Sequence, residues 1–165
     1  MAHSRHVSVT PATQALRKAG IGYGEHLYDY VDHGGTEEAA RQLGVDENRV
    51  IKTLLMRRDG GQELVVLMHG DCSVSTRNLA RAIGVKAVVP CTPEQAERAT
   101  GYRVGGISPF GTRKRLPVYV ERTVLGLSSL LVNGGRRGYL LESEPVALTS
   151  LLTATPVACA LKETR

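Results

Sequence analysis

Lys52 interrupts the run Val50-Ile51-Lys52-Thr53-Leu54-Leu55, whose aliphatic and β-branched content predicts a central strand. An ammonium there is costly unless it is paired or lines a cleft, where it could hold a carbonyl or anionic oxygen. The plainer alternative is an edge-strand lysine that alternation turns to solvent. A second constellation spans residues 100–117, where Gly101, Gly105, Gly106 and Gly111 flank Ile107, Ser108 and Pro109. These glycines permit positive φ and close backbone approach, and Pro109 removes one donor and stiffens the turn. Amide N–H groups in such a loop can face a phosphate, ribose or carbonyl oxygen, and donors aimed at a developing oxyanion lower a barrier without a side-chain nucleophile. Arg113, Lys114 and Arg115 follow, placed to hold a polyanion or to remain a solvated tail. Asn133-Gly134-Gly135-Arg136-Arg137-Gly138 forms a second flexible basic loop that either contacts a polyanion, meets the first loop, or is a solvated turn.

Other chemistries find little support. Ser108 has no Gly-x-Ser-x-Gly elbow around it, and neither a Ser-His-Asp nor a Cys-His arrangement is visible. His26, His33 and His69 lack metal-ligand spacing, so no metal is expected. The absence of a P-loop and of a strand-initiated Gly-x-Gly-x-x-Gly argues against nucleotide hydrolysis and a dinucleotide, and no cofactor is expected. Cys72, Cys91 and Cys159 are odd in number and widely spaced, which favours a reducing cytoplasm over a disulfide framework. With 21 Lys and Arg against 16 Asp and Glu, the net charge of +5 favours an anionic partner without requiring one. No membrane segment or apolar leader is evident.

The elements that must position these residues intermix helices and strands. Residues 1–9 read as a loose tail and residues 10–165 as a single domain, a length able to bury its own core. Thr10 and Pro11 open a helix closed by Gly20; Thr36 caps a second that stops at Gly44; Ser75 caps a third; Thr92-Pro93-Glu94-Gln95 announces a fourth over 93–99. A last helix is predicted over 145–152. Strands are expected from residue 23 to near Tyr28, then at 50–58, 63–69, 86–89, 118–120, 129–132 and 157–160, with a hairpin at Asp59-Gly60-Gly61-Gln62. A hairpin among intermixed elements excludes a purely parallel wind and indicates an α/β or α+β fold.

The three constellations together, in this order, resemble the YbaK/EbsC family of free-standing aminoacyl-tRNA deacylases, relatives of the editing domain inserted in bacterial prolyl-tRNA synthetases. The resemblance runs from about Thr10 to the C-terminal end. It implies a mixed, largely antiparallel, barrel-like sheet surrounded by helices. It also implies an activity: hydrolysis of mischarged Cys-tRNA(Pro), with the 3′ end of tRNA(Pro) and prolyl-tRNA synthetase as partners. Deacylation of another mischarged tRNA such as Ala-tRNA(Pro), or non-catalytic RNA binding, are the alternatives. The resemblance makes Lys52 a pocket residue and makes Gly105, Gly106, Ile107, Ser108 and Pro109 the loop that cradles the terminal adenosine and aminoacyl carbonyl. It makes Tyr28, Gly134 and Gly135 substrate contacts, and Arg113, Lys114, Arg115, Arg136 and Arg137 contacts to tRNA. This chain departs from the family in carrying Tyr139-Leu140-Leu141 where an acidic residue is common, reaching a carboxylate only at Glu142. His33-Gly34-Gly35 also replaces a familiar aromatic residue.

Overall fold

A computed structural model describes residues 9–163, so all but Val9 of the expected tail lies outside the described residues. The chain runs α1 (Pro11–Lys18), β1 (Gly24–Leu27), α2 (Gly35–Leu43), β2 (Ile51–Arg58), β3 (Glu63–His69), β4 (Cys72–Val74), α3 (Thr76–Ile83), β5 (Val88–Pro90) and α4 (Pro93–Thr100). It continues through β6 (Val118–Glu121), β7 (Leu130–Asn133), β8 (Tyr139–Ser143), α5 (Val146–Leu151), β9 (Thr155–Val157) and β10 (Ala160–Lys162), with 3₁₀ turns at Glu47–Arg49 and Arg122–Gly126.

The caps written in the sequence set most helix starts. Thr10 and Thr13 exchange side-chain and backbone bonds at the head of α1, Thr92 and Gln95 do the same for α4, and Ser75 accepts from the Asn78 amide at α3. Thr36 is the exception. It is the second residue of α2, not its cap, because its hydroxyl donates to Glu47 Oε2 (2.8 Å) and the Gly70 carbonyl (3.1 Å), while Gly34 takes the capping position.

One mixed sheet has the order β5-β2-β3-β6-β9, antiparallel at β5-β2-β3 and parallel at β3-β6-β9. A second, β1-β8-β7, is antiparallel throughout, and β4 pairs with β10. The arrangement is mixed and largely antiparallel with helices around it, as expected. It is barrel-like only loosely: the two larger sheets meet at a parallel bridge between Val50 and Leu131, and the wall does not close. β3 is buried on both faces, which accounts for its unbroken apolar run from Leu64 to Met68. One face packs Val65 and Leu67 with Phe110, Leu130 and Tyr139; the other packs Leu64, Val66 and Met68 with Leu79 of α3.

Two strand expectations shift, and two strands are new. The strand read at 157–160 is two strands, because Glu121 Oε1 captures the Cys159 and Ala160 amides (2.9 and 3.0 Å) and interrupts the extended run, so that β9 pairs with β6 and β10 with β4. The strand read at 86–89 begins two residues later, since Asp59 Oδ1 takes the Lys86 and Ala87 amides. β4 and β8 were not expected at all. Among the described residues no helix is long and apolar enough to cross a membrane.

Candidate active site

Between the bridge at Val50 and the β5 pairing at Met56, one edge of β2 has no partner strand. Ile51, Lys52 and Thr53 on that stretch form one wall of a cleft of about 550 Å³. Tyr28, Tyr30 and Val31, just past β1, form another. Val104, Gly105 and Ile107 of the first loop face Asn133 and Arg137 of the second, and Leu140 of β8 contributes an apolar patch.

Lys52 is not a solvent-facing edge lysine. Its side chain is 22 % exposed, and its ammonium donates to the Cys72 carbonyl (2.7 Å) and to Glu163 Oε1 (3.0 Å). Two of three N–H donors are thus engaged, which leaves one for a ligand in the cleft.

The two glycine-rich loops hold each other. Asn133 Nδ2 donates to the Gly105 carbonyl (3.1 Å), its Oδ1 accepts from the Gly135 amide (2.7 Å), and Arg137 Nε donates to the Val104 carbonyl (2.9 Å). Gly106 lies so close to the Arg136-Arg137 peptide that a Cβ would meet Arg136 Cα and Arg137 N at 2.8 Å. Its amide donates to the Arg103 carbonyl, closing a turn. Gly105, at φ +87°, leaves room for the Tyr30 hydroxyl and Arg137 Nε, and the Arg137 guanidinium lies over the Tyr30 ring at 4.8 Å. Tyr28 anchors the same corner through its amide, which donates to the Gly138 carbonyl (3.0 Å). Burial, reinforced by Tyr30, raises the Tyr28 phenol above its ordinary range, so it enters the cleft as a neutral donor.

Lys52, Gly105, Ile107, Tyr28 and Arg137 therefore share one cleft. His33 and Leu140 line it as well, whereas the other residues expected to contact substrate or tRNA do not. Ser108 is fully buried and its Oγ accepts from the Phe110 amide (3.2 Å). Gly134 packs on the Tyr139 ring and Gly135 on Tyr102 and Thr10, so both hold the second loop in place. Pro109, Arg113, Lys114 and Arg115 line a separate concavity of about 710 Å³, where Lys114 pairs with Glu63 (3.1 Å). Arg136 is exposed above the Tyr139 ring at 5.5 Å. Glu142 faces away from the cleft, bound to His26 (2.8 Å), Arg49 (3.0 Å) and Ser129 (2.9 Å).

Tyr30, Asn133 and Glu163 were missed. Tyr30 was signalled only by its spacing of two from Tyr28, and Asn133 by the Asx-turn preference of Asn before glycine. Nothing local marks Glu163, which reaches Lys52 through the β4-β10 pairing.

Residues 33–151 match the model of the aminoacyl-tRNA editing domain. An Enterococcus faecalis protein, EbsC, provisionally named a Cys-tRNA(Pro)/Cys-tRNA(Cys) deacylase, is 30 % identical over 152 residues, covering 92 % of this chain and 93 % of that protein. A proline–tRNA ligase of Limosilactobacillus reuteri is 29 % identical over 106 residues, 62 % of this chain but 18 % of the ligase. The crystal structure of a protein provisionally described as a trans-editing enzyme for prolyl-tRNA synthetase superposes with a TM-score of 0.77 at 23 % identity, covering 95 % of this chain and all of that one, which establishes a shared fold.

Proposed function

This chain belongs to the aminoacyl-tRNA editing domain family, and from that premise we propose that it is a trans-editing deacylase cleaving the ester between a wrong amino acid and the 3′ end of tRNA(Pro), with cysteine as the amino acid removed. Cysteine and proline are close in size, and a second site is the physical remedy when one pocket discriminates poorly. Prolyl-tRNA synthetase, whose own editing segment this chain resembles, is the natural supplier of the mischarged tRNA.

The observation that carries the mechanism is a cleft with a fixed cation and no serine or cysteine in its wall. Ser108 is buried with its oxygen engaged, and burial raises the thiols of Cys72, Cys91 and Cys159, the last to about 11. Thr36 spends its hydroxyl on Glu47 and Gly70, and the Thr53 hydroxyl oxygen is buried. In the reaction we propose, the one the family resemblance implies, the nucleophile is the substrate's own sulfur. The cysteinyl thiolate attacks its carbonyl carbon, the C–O bond to the ribose breaks, and the ribose oxygen leaves with a proton. A four-membered thiolactone is released and hydrolysed by water to cysteine. In this reading Lys52 and the first loop stabilise the oxygen charge that develops.

Leu140 favours one second reading. An apolar wall suits a small uncharged side chain, so alanine on the same tRNA is the competing substrate. Deacylation of Cys-, Ser- and Ala-tRNA(Pro) separates the cases. Fast clearance of the cysteinyl ester with transient thiolactone is expected; equal rates on cysteinyl and seryl esters refute the substrate-assisted route. Hydrolysis of none refutes the deacylase assignment.

A further inference from the structure

Arg77 and Arg81 of α3 and Lys86 of the loop after it are exposed and surround an open groove of about 480 Å³. Among the described residues none of the three pairs with a carboxylate. Asp59 stands beside them, but its Oδ1 is spent on the Lys86 and Ala87 amides (3.0 and 3.4 Å). Like charges gathered on one surface repel each other, and no role assigned so far uses these.

The groove lies on the side of the sheet that carries Lys52. Ala80 and Val88 line it and belong to the same apolar cluster as Leu54 and Met56 of β2. Side chains alternate along a strand, so Lys52 and Arg58 stand in the same row as Leu54 and Met56. Arg58 is opposite Val88 in register, which sets the groove six residues, or about 20 Å, along β2 from Lys52. A further cation lies between. Lys162 of β10 is exposed opposite Cys72, whose carbonyl holds the Lys52 ammonium, and β4 runs from Cys72 almost directly into α3.

We propose that this groove grips the phosphate backbone of the RNA whose 3′ end occupies the cleft, on the stem behind that end. The inference rests on the deacylase reading for the identity of the RNA, and on the charge of the groove for its chemistry. Arg77 and Arg81 are one helical turn apart, with Cβ atoms about 5–6 Å from each other, and Lys86 adds a third charge beyond the Gly84 turn. Cations spread in this way meet a repeated anion, whereas a lone small anion calls for donors that converge on it. A stacked nucleic-acid strand carries one charge per about 3.4 Å of axis, so a point about 20 Å from Lys52 is roughly six phosphates back from the 3′ end. Phosphate contacts there fix the orientation of the RNA and aim its ester into the cleft, whatever the sequence.

Equilibrium binding of an uncharged tRNA(Pro) transcript and of a single-stranded tetranucleotide ending in CCA separates groove from cleft, because only the transcript reaches α3. Replacing Arg77, Arg81 and Lys86 together with glutamine should weaken transcript binding about tenfold at low salt. The logarithmic salt slope should fall by about 0.9 for each duplex phosphate released. Affinity for the tetranucleotide should stay within about twofold, and the melt should match the parent, since the three side chains are exposed and unpaired. Arg81→Glu alone serves if the triple variant fails to fold, and should also weaken the transcript selectively. An unchanged slope in a folded variant, or equal loss for both probes, overturns the groove. So does a wild type that does not bind the transcript, which would leave these cations to an acidic protein surface. Loss of transcript binding in the variant of a protein that deacylates no charged tRNA refutes the enzymatic reading and leaves the groove standing. Deacylation by the triple variant at the parental kcat/KM refutes the groove alone.

Discussion

Replacing Lys52 with methionine keeps the aliphatic stem and removes only the ammonium, so its consequences can be worked from two contacts. The bond to the Cys72 carbonyl is charge-assisted and short at 2.7 Å, and is worth about 1.5 kcal/mol. The ion pair with Glu163 joins side chains 22 % and 31 % exposed, and solvent screening brings its contribution to about 0.5 kcal/mol. Loss of roughly 2 kcal/mol in a chain of this size lowers Tm by about 4–8 °C. The protein stays folded, since typical domain stability is about 5–15 kcal/mol. The activity loss should be larger than this implies. A preorganised donor facing a developing oxyanion is worth about 10²–10³ in rate. Single-turnover deacylation of Cys-tRNA(Pro), run beside a thermal melt, separates the two effects. Lys52→Met turning over within threefold of the parent, with the expected drop in Tm, would make this lysine a structural strut and remove it from the chemistry. Glu163→Gln is the companion: its amide oxygen still accepts from the ammonium, so turnover should fall by no more than about tenfold.

Further outcomes follow from particular residues. Gly106→Ala forces a Cβ against the Arg136-Arg137 backbone, and overpacking of this kind costs about 1–3 kcal/mol; the melt should fall by several degrees and the cleft should lose activity, and a variant melting like the parent refutes the loop-to-loop packing. Replacing Arg113, Lys114 and Arg115 with alanine should flatten the logarithmic salt dependence of tRNA binding by about 0.7 for each phosphate of single-stranded RNA that is no longer neutralised; an unchanged slope makes the triplet a solvated surface. A Cys72→Ser, Cys91→Ser, Cys159→Ala variant should turn over near the parental rate if it folds, because in the proposed mechanism the attacking sulfur belongs to the substrate; loss of activity in a folded variant reveals an enzyme thiol. Hydrogen bonds from Ser129 and His26 hold the Glu142 carboxyl below its ordinary range. A carboxyl lowered on folding stabilises the protein above the unfolded value of about 4.3 and loses that contribution as the pH falls through the folded one. Glu142→Gln should therefore flatten the acid limb of Tm against pH, and an unaltered limb assigns acid sensitivity elsewhere.

Much of the fold was legible because its signals are local. Capping residues at Thr10, Ser75 and Thr92 and the stop glycine Gly44 act within a turn of themselves, and each set a helix end where the sequence placed it. The misreadings share a different cause. Thr36, Asp59 and Glu121 each divert hydrogen bonds to partners distant in sequence, a carbonyl for Thr36 and amides for the two carboxylates, and such a bond leaves no periodic trace. β8 escaped because Tyr139-Leu140-Leu141 is a continuous apolar run, buried on both faces between β1 and β7, with no alternation to reveal it.

The site was legible to a different depth. A glycine announces that something comes close, but not what comes close. Gly105, Gly106, Gly134, Gly135 and Gly138 all lack room for a Cβ, and in every case the neighbour is protein: Tyr30 and Arg137, the Arg136-Arg137 peptide, Tyr139, Tyr102, and the Tyr28 carbonyl. Reading all of them as space for a substrate overstates what glycine reports. What they achieve is tighter. Two loops separated by some thirty residues are locked through Asn133 and Arg137, so their cleft-facing atoms are fixed before a ligand arrives. Preorganisation of this kind spares the ordering cost that a pair of mobile glycine-rich loops would incur on binding. In the proposed reaction this is how a cleft with no serine or cysteine in its wall would act on an ester: the chain supplies position and charge, and the reacting atoms come with the substrate.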